Sequence, residues 1–528
     1  MSNKGLDRRN FIKLSSMALV GGYAGLKSGA ALAQRMGGGG MGGGGMGGGG
    51  GGGGYIDPPP GANFSNPMDM TIARTTEVID NMSREVATVN LEAVQTQVNV
   101  NGVLANLMTY NGYFPGPTIK VKKNDVVRIN FTNSLPASTA TNLLGYRKYL
   151  TNLHTHGWHV SPEPPSDYVM YELANGQTYH HEYDLAQQPA GAFNFYHPHK
   201  HGVSAEQYWA GLVGALITED DLPVFNGTDT KIMVLKDIEL SGADPAPHTM
   251  MSDYMHGKSG SIVMVNGMVN PVLPIKPGQV QRWRLLNSSN VRHYLLNLEG
   301  HSLYLVGTDG HLLDKPYPMS QILLAPGERV EVLVKASTKA GTYKFYSLPY
   351  AWQGNMSSEK VTLLTLNVNG SKASQVIPKS INPAAQRLNP NSLTISAQRT
   401  LALSMGMGNG YINGQDFDVN PYTIMSDVGT YEIWTITNDS GMDHPFHQHV
   451  NPSQILAING RDTYYPDYST MPAWKDVVLI PKFGSVTMLV PVMDYPGMAM
   501  FHCHILEHED IGMMGLWHLM GPGGMTGM

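Results

Sequence analysis

Residues 501–514 read F-H-C-H-I-L-E-H-E-D-I-G-M-M and contain the single cysteine of the 528-residue chain, Cys503. His502 and His504 flank it, His508 follows five residues after it and Met513 ten after. In a β-strand successive side chains point to opposite faces, so His502 and His504 face one way and Cys503 the other. One stretch can then serve two metal sites. Cys503, His508 and a further histidine, with Met513 as a weak axial ligand, are the set of a blue-copper centre. The flanking histidines are free for a second site behind it, joined to the first by a short run of backbone. A buried cysteine between two core histidines is the plainer reading, and the rest of the chain argues against it.

Three other histidine clusters match this one. Residues 152–157 read N-L-H-T-H-G, residues 196–202 Y-H-P-H-K-H-G and residues 444–449 H-P-F-H-Q-H. Each holds a His-x-His pair, whose two rings share one face of a strand. Four converging pairs supply His154, His156, His197, His199, His447, His449, His502 and His504, enough imidazoles for three coppers. His444 and His508 remain for the metal at Cys503. Zinc also takes His and Cys, but it does not account for so many imidazoles with one thiolate and a downstream methionine. His201 exceeds the ligand count and is read as a supporting or surface residue.

From about Tyr55 onward the chain alternates in short β-like runs broken by Gly/Pro turns, the pattern of β-sandwiches or barrels. A repeat runs through it. Asn266-Gly267 is followed by Gly278, Trp283 and Asn287, and Asn413-Gly414 by Gly429, Trp434 and Asn438. Asn111-Gly112 is followed by Asn124, Ile129 and Asn133, with the same spacings of five and four. Each repeat ends alike: F-Y-H-P-H at 195–199, F-Y-S-L-P at 345–349 and M-F-H-C-H at 500–504. Three similar β domains are expected, at 55–222, 223–380 and 381–528. The middle one lacks the histidine pair. Its His293, six residues after Asn287 as His444 is six after Asn438, has no cysteine partner and is read as structural.

Charged residues are 14% of the chain and the net charge is −6, so no basic patch points to nucleic acid. One cysteine forbids internal disulfides. Residues 1–33 read as an export signal. Asp7-Arg8-Arg9-Asn10-Phe11-Ile12-Lys13 resembles the twin-arginine signal, the apolar run 14–26 is too short to span a bilayer, and Ala31-Leu32-Ala33 offers a cleavage site. The twin-arginine machinery is therefore an expected partner, and the periplasm or cell envelope the expected location, without a stable membrane span. Residues 34–54, Gln34-Arg35 and then glycine broken by Met36, Met41 and Met46, cannot bury a core and read as a disordered tether. Its thioethers are soft enough for Cu(I).

The four copper motifs and the three repeats closely resemble the three-domain multicopper oxidases, the family of laccases, bilirubin oxidases and bacterial cuprous oxidases. The resemblance covers Tyr55 to the C-terminus. It implies an all-β chain of three cupredoxin-like Greek-key domains carrying four copper ions. By it, the type 1 copper takes His444, Cys503, His508 and Met513, the type 2 copper His154 and His447, and the type 3 pair His156, His197, His199, His449, His502 and His504. It further implies one-electron oxidation of phenols or Cu(I) at the type 1 site, coupled to four-electron reduction of dioxygen to water between the first and third domains. Met513 should hold the type 1 potential below that of relatives with a non-ligating residue there. Oxygen reduction consumes protons: Glu509 matches the family's proton-donating glutamate, and Asp167 its other supporting acid. The segment 161–166 departs from familiar patterns, so Glu163 could replace Asp167.

Methionines supply the remaining signal. Met250, Met251, Met255, Met264 and Met268 gather near His248 and His256, with Met405 and Met407 further on and Met525 and Met528 at the tail. Met264, flanked by valines, reads as core filler; the others motivate a Cu(I) docking site. The expected activity is thus laccase-like with a role in copper tolerance, by a monomer. Oxidation of Mn(II) or another metal is the alternative enzyme, and a copper-binding or storage scaffold the non-enzyme alternative.

Overall fold

Asn111-Gly112, Asn266-Gly267 and Asn413-Gly414 each turn the chain with positive φ at both residues, 53° and 78°, 53° and 77°, 50° and 72° in the computed structural model. The pairs Tyr110 and Tyr113, Val265 and Met268, Ile412 and Gln415 bridge across them. Asparagine tolerates the left-handed region and glycine enters it without a Cβ clash, so the recurring dipeptide sets the same tight turn three times. The structure describes residues 57–219, 222–354 and 358–521. The export signal, the tether with Met36, Met41 and Met46, and Met525 and Met528 lie outside the described residues.

The asparagine that ends each repeat has a common task. Asn133 closes the strand Val126–Ser134, Asn287 closes Val280–Asn287 and Asn438 closes Thr430–Asn438. Their side-chain amides donate to carbonyls of the following loops: Tyr149 and Leu173, Arg292 and Leu324, Met442 and Ile480. Each side-chain oxygen accepts from the backbone N–H two residues on, in Leu135, Ser289 and Ser440. A buried carbonyl without a donor is costly, so this one residue type lets a loop leave the barrel while remaining buried. Trp283 and Trp434 fill the cores of the middle and third units, and Ile129 stands at that repeat position in the first.

Each unit closes two sheets over a core, and the repeats recur in the strand order. In each unit a longer strand upstream of the turn runs parallel to the second strand after it: Met82–Val100 with Val126–Ser134, Asp229–Ile238 with Val280–Asn287, and Ile395–Gly406 with Thr430–Asn438. Each second sheet also contains one parallel pair, Gly116–Val121 with Gly214–Thr218, Val272–Ile275 with Val361–Val368, and Tyr422–Asp427 with Met514–Met520. Parallel neighbours need crossover connections, and these give the cupredoxin-like arrangement. Residues at the start of the described chain lie against the middle unit: Gly61 N–H donates to Asn270 O and Phe64 N–H to Val272 O. A buried cluster of Phe193, Phe195 and Tyr208 with Ile232, Leu286 and Leu506 joins all three units. Among the described residues no helix is long and apolar enough to cross a membrane.

Two strand pairs carry the histidines. His154–His156 lies antiparallel to Phe193–His197, with His154 opposite His197. His444–Gln448 lies antiparallel to Gly497–Cys503, with His447 opposite His502 and Phe446 opposite Cys503. Directly opposed side chains stand about 5 Å apart, so the register alone brings imidazoles of distant segments together.

Candidate metal centre

The eight paired histidines meet in one cluster between the first and third units, none more than 3% exposed. The Nε2 atoms of His199, His449 and His502 stand 3.1 to 3.3 Å apart. His154 groups with His156 and His197, and also with His447 and His449, within metal-bridging distance. On His154, His197 and His447 the Nε2 atom has no hydrogen-bond partner, on His156 it is Nδ1, and on His504 both ring nitrogens. On His154, His156, His197 and His447 the opposite ring nitrogen is engaged. His154 Nδ1 lies 2.7 Å from Asp167 Oδ2, His156 Nε2 3.1 Å from Asp476 Oδ1, and His447 Nδ1 2.9 Å from the Asp476 carbonyl. His197 and His502 turn Nδ1 to the carbonyls of Pro198 and Cys503. Burial, then neighbouring histidines, holds His156, His197, His447, His449 and His502 well below the ordinary histidine pKa. Burial brings His199 and His504 down to about 3. Neutral, anchored rings with buried unpartnered nitrogens are what a metal cluster needs.

The second cluster lies on the other face of the same strand. Cys503 Sγ is 3.5 Å from His444 Nδ1 and 3.6 Å from His508 Nδ1, and the two nitrogens are 3.2 Å apart. The far nitrogens are held by Ser440 Oγ at 2.8 Å and the Met255 carbonyl at 3.2 Å. Met513 is fully buried beside them, its carbonyl accepting from Cys503 N–H and its own N–H donating to the His508 carbonyl. Gly410 lets a neighbouring hairpin close on Met513, since a Cβ there would meet the Met513 Cβ. Burial drives the Cys503 thiol pKa well above its ordinary value. A bound cation is the usual means of holding such a buried thiolate.

Both acids singled out from the sequence sit on imidazoles. The Glu509 carboxylate oxygens lie 3.5 Å from His199 Nδ1 and 3.3 Å from His502 Nδ1. Burial and then Asp510 raise the Glu509 pKa well above the carboxylate range. Asp167 accepts from the backbone N–H and hydroxyl of Thr155 besides contacting His154. Burial pushes its pKa up, but His154 and Thr155 outweigh burial and hold it below the usual value. Glu163 instead accepts from Met498 N–H. His201 lies 2.7 Å from Asp418, outside both clusters. His293 is buried, its ring against Tyr350 and Trp352. Met264 is fully buried with Trp209 and Ile238.

Asp476, Arg329 and Glu507 escaped the sequence reading. Glu507 is buried, its Oε1 accepting from Asn290 and Lys258 N–H and lying 3.0 Å from His248 Nε2. The signal available for Asp476 was a charged pair, Lys475-Asp476, inside an otherwise apolar run.

The donor set fits copper: ten imidazoles, one thiolate and one thioether in two buried groups, with one ring nitrogen of His154, His156, His197 and His447 free and the other held by a protein partner. Soft sulfur with imidazole suits copper, and two His with Cys and Met is the type 1 pattern. Multicopper oxidase family models match residues 92–222, 224–370 and 385–518. The chain is 30% identical to a multicopper oxidase of Staphylococcus aureus over 426 residues, 78% of this chain and 84% of that one. It is 27% identical to a laccase of Bacillus subtilis over 490 residues, 82% and 94% of the two chains. A solved structure of a Campylobacter jejuni multicopper oxidase described as a metallo-oxidase superposes with a TM-score of 0.73 at 25% identity, covering 87% of this chain and 96% of that one. With family matches running through all three units and a donor set that suits the metal, the chain belongs to the multicopper oxidase family.

Proposed function

We propose that this oxidase acts on Cu(I) and, more broadly, on phenols, in the cell envelope and in the service of copper tolerance. The observation that carries the reading is a methionine-bearing cap on the type 1 ligands. The helix Met251–His256 hands its Met255 carbonyl to His508 Nε2 at 3.2 Å. Met250 at its head is 57% exposed, and the Met251 methyl lies 3.8 Å from where a side chain on Gly408 would begin. Gly408 follows Met407, 90% exposed, in the hairpin that closes on Met513. Exposed methionines thus stand in the two segments, 250–256 and 405–410, that pack on the type 1 ligands His508 and Met513. They favour soft Cu(I) over Mn(II), which prefers carboxylate oxygen.

Within this reading His444, Cys503, His508 and Met513 hold the type 1 copper, and His154 and His447 the type 2. His156, His197, His199, His449, His502 and His504 hold the type 3 pair. When bound, these metals supply one-electron oxidation and the reduction of dioxygen to water. The chain's own part is geometric. Cys503 is peptide-bonded to His502 and His504, so the two sites share a covalent route. In this reading Glu509, 3.5 Å from His199 and 3.3 Å from His502, delivers protons, and Asp167 fixes the His154 ring. The same reading divides the chain into 55–222, 223–380 and 381–528, supported by the change of sheets near those points. It also takes residues 1–33 as a twin-arginine signal, supported by the Arg8-Arg9 pair ahead of an apolar run, residues 34–54 as a tether, and the exported protein as a monomer.

The test is dioxygen uptake by the copper-loaded protein with Cu(I), and with a simple phenol with and without added Cu(II). Fast uptake with Cu(I), and phenol oxidation that needs added Cu(II), support the reading. Fast phenol oxidation without added copper makes the protein a laccase, and the methionines packing. Substituting Met250, Met251 and Met255 by Leu or Ser should slow Cu(I) oxidation; unchanged rates would remove the docking site.

A further inference from the structure

Among the described residues the middle unit adds no histidine or cysteine to either cluster, yet one of its residues reaches the trinuclear cluster. Arg329 begins the strand Arg329–Lys335 and is fully buried. Its guanidinium grips the Asp476 carboxylate with both arms, Nη1 to Oδ1 at 2.6 Å and Nη2 to Oδ2 at 2.5 Å. It also donates to Asn194 Oδ1 at 2.8 Å and, through Nε, to the Phe193 carbonyl at 3.4 Å. One side chain of the middle unit therefore bonds to the first and the third together. The Asp476 oxygen facing the cluster lies 3.1 Å from His156 Nε2, while His156 Nδ1 is buried without a partner.

We infer that Arg329 and Asp476 position His156: the guanidinium fixes the carboxylate, and the carboxylate fixes the ring with its proton on Nε2 and Nδ1 open to a trinuclear copper. Three further observations support this. Gly157, next to His156, has φ +88°, and a Cβ there would collide with the side chains of Arg329, Asn194 and Asp476, so the motif's glycine makes room for this clamp. Behind it Asp309 accepts the Arg329 N–H at 2.9 Å, Lys475 pairs with Asp309 and Glu328 at 2.8 and 2.9 Å, and Tyr465 donates to Glu328 at 2.6 Å. The clamp therefore stands on a buried network. Gly327, with φ +80°, lies flat against the His504 ring, where a Cβ would come 2.7 Å from ring atoms. The middle unit thus touches a second imidazole of the same cluster. Asp476 could itself be grouped with His156 and His447 as a ligand, but Arg329 occupies both its oxygens. The planar guanidinium fork matches a carboxylate bidentately, and an ammonium does not. Partners on the far side of a ligating histidine set its tautomer and its metal affinity.

The inference rests on His156 being a trinuclear ligand, and the experiment separates the two. Nitrogen-15 NMR of histidine-labelled, copper-free wild-type protein, assigned with His156→Gln, should find the His156 proton on Nε2; a proton on Nδ1 overturns the inference. Copper per chain is then titrated against a chelator in Arg329→Lys and Asp476→Asn. The type 1 blue band should persist, while the affinity of the remaining coppers falls about 10- to 100-fold. Wild-type affinity in both variants overturns the clamp. A variant that loses the blue band as well counts as misfolded, and the other variant and the NMR decide. If His156→Gln itself retains all four coppers, the ligand assignment falls, and the clamp with it.

Discussion

The middle and third units carry the same strand pair in the same register and differ in what stands on it. In the third, Phe446 faces Cys503 and His447 faces His502. In the middle, Leu295 faces Leu348 and Leu296 faces Ser347, and His293 stands where His444 does. Leucine thus replaces the thiolate, and a leucine–serine pair replaces the opposed imidazoles. His293, without a cysteine, packs against Tyr350 and Trp352 instead. The same barrel is therefore built with or without that set of histidines and cysteine. Its turns, closing asparagines and tryptophan determine the backbone, and a handful of side chains at the strand ends determine the chemistry. The middle unit instead presents Arg329 to Asp476 and Gly327 to the His504 ring.

Erasing the difference should have the largest effect. Cys503→Leu gives the third unit the middle unit's residue at this position; the protein should fold, lose its blue band and show oxidase activity no higher than background. Residual turnover with either reductant would mean electrons enter elsewhere. Glu509→Gln keeps shape and copper but removes the carboxylic acid, so oxygen turnover should fall on the order of 100-fold, as for a lost general acid; unchanged turnover with intact copper would reject the relay. Asp167→Asn weakens the anchor of His154 and should lower copper affinity at the trinuclear site about 10-fold or more, with the blue band preserved, as chelator titration would read.

Smaller effects test what the units share. Asn287→Ala and Asn438→Ala each strip donors from two or more loop carbonyls. Each should cost about 1–3 kcal/mol, measured by denaturant unfolding of the copper-free protein. A cost in only one unit would show that the repeat is not structurally equivalent. The smallest effect on the chemistry belongs to His293→Phe. Copper content and turnover should not change, while stability should fall by about 1–3 kcal/mol, because the larger ring crowds a buried site and the Val291 carbonyl loses its donor. Lost copper would restore His293 as a hidden ligand.

The β-sandwich class and the threefold repeat were legible in the chain, because turns and strand ends are local. Asn-Gly specifies its own turn wherever it stands, and alternation specifies a strand's two faces. The histidine pairs were legible for the same reason: His-x-His places two rings on one face before any fold is known. Glu509 and Asp167 were reached through family resemblance, and the structure puts each on an imidazole. Between Glu163 and Asp167 the sequence left the choice open; in the fold Asp167 contacts His154, while Glu163 accepts from Met498 N–H. Asp476 and Arg329 lie 147 positions apart, and no spacing rule connects them. Local chemistry is written in neighbouring residues. Which buried charge meets which is decided only when separate barrels close on one another, because an ion pair excluded from water persists only where its partner arrives with it.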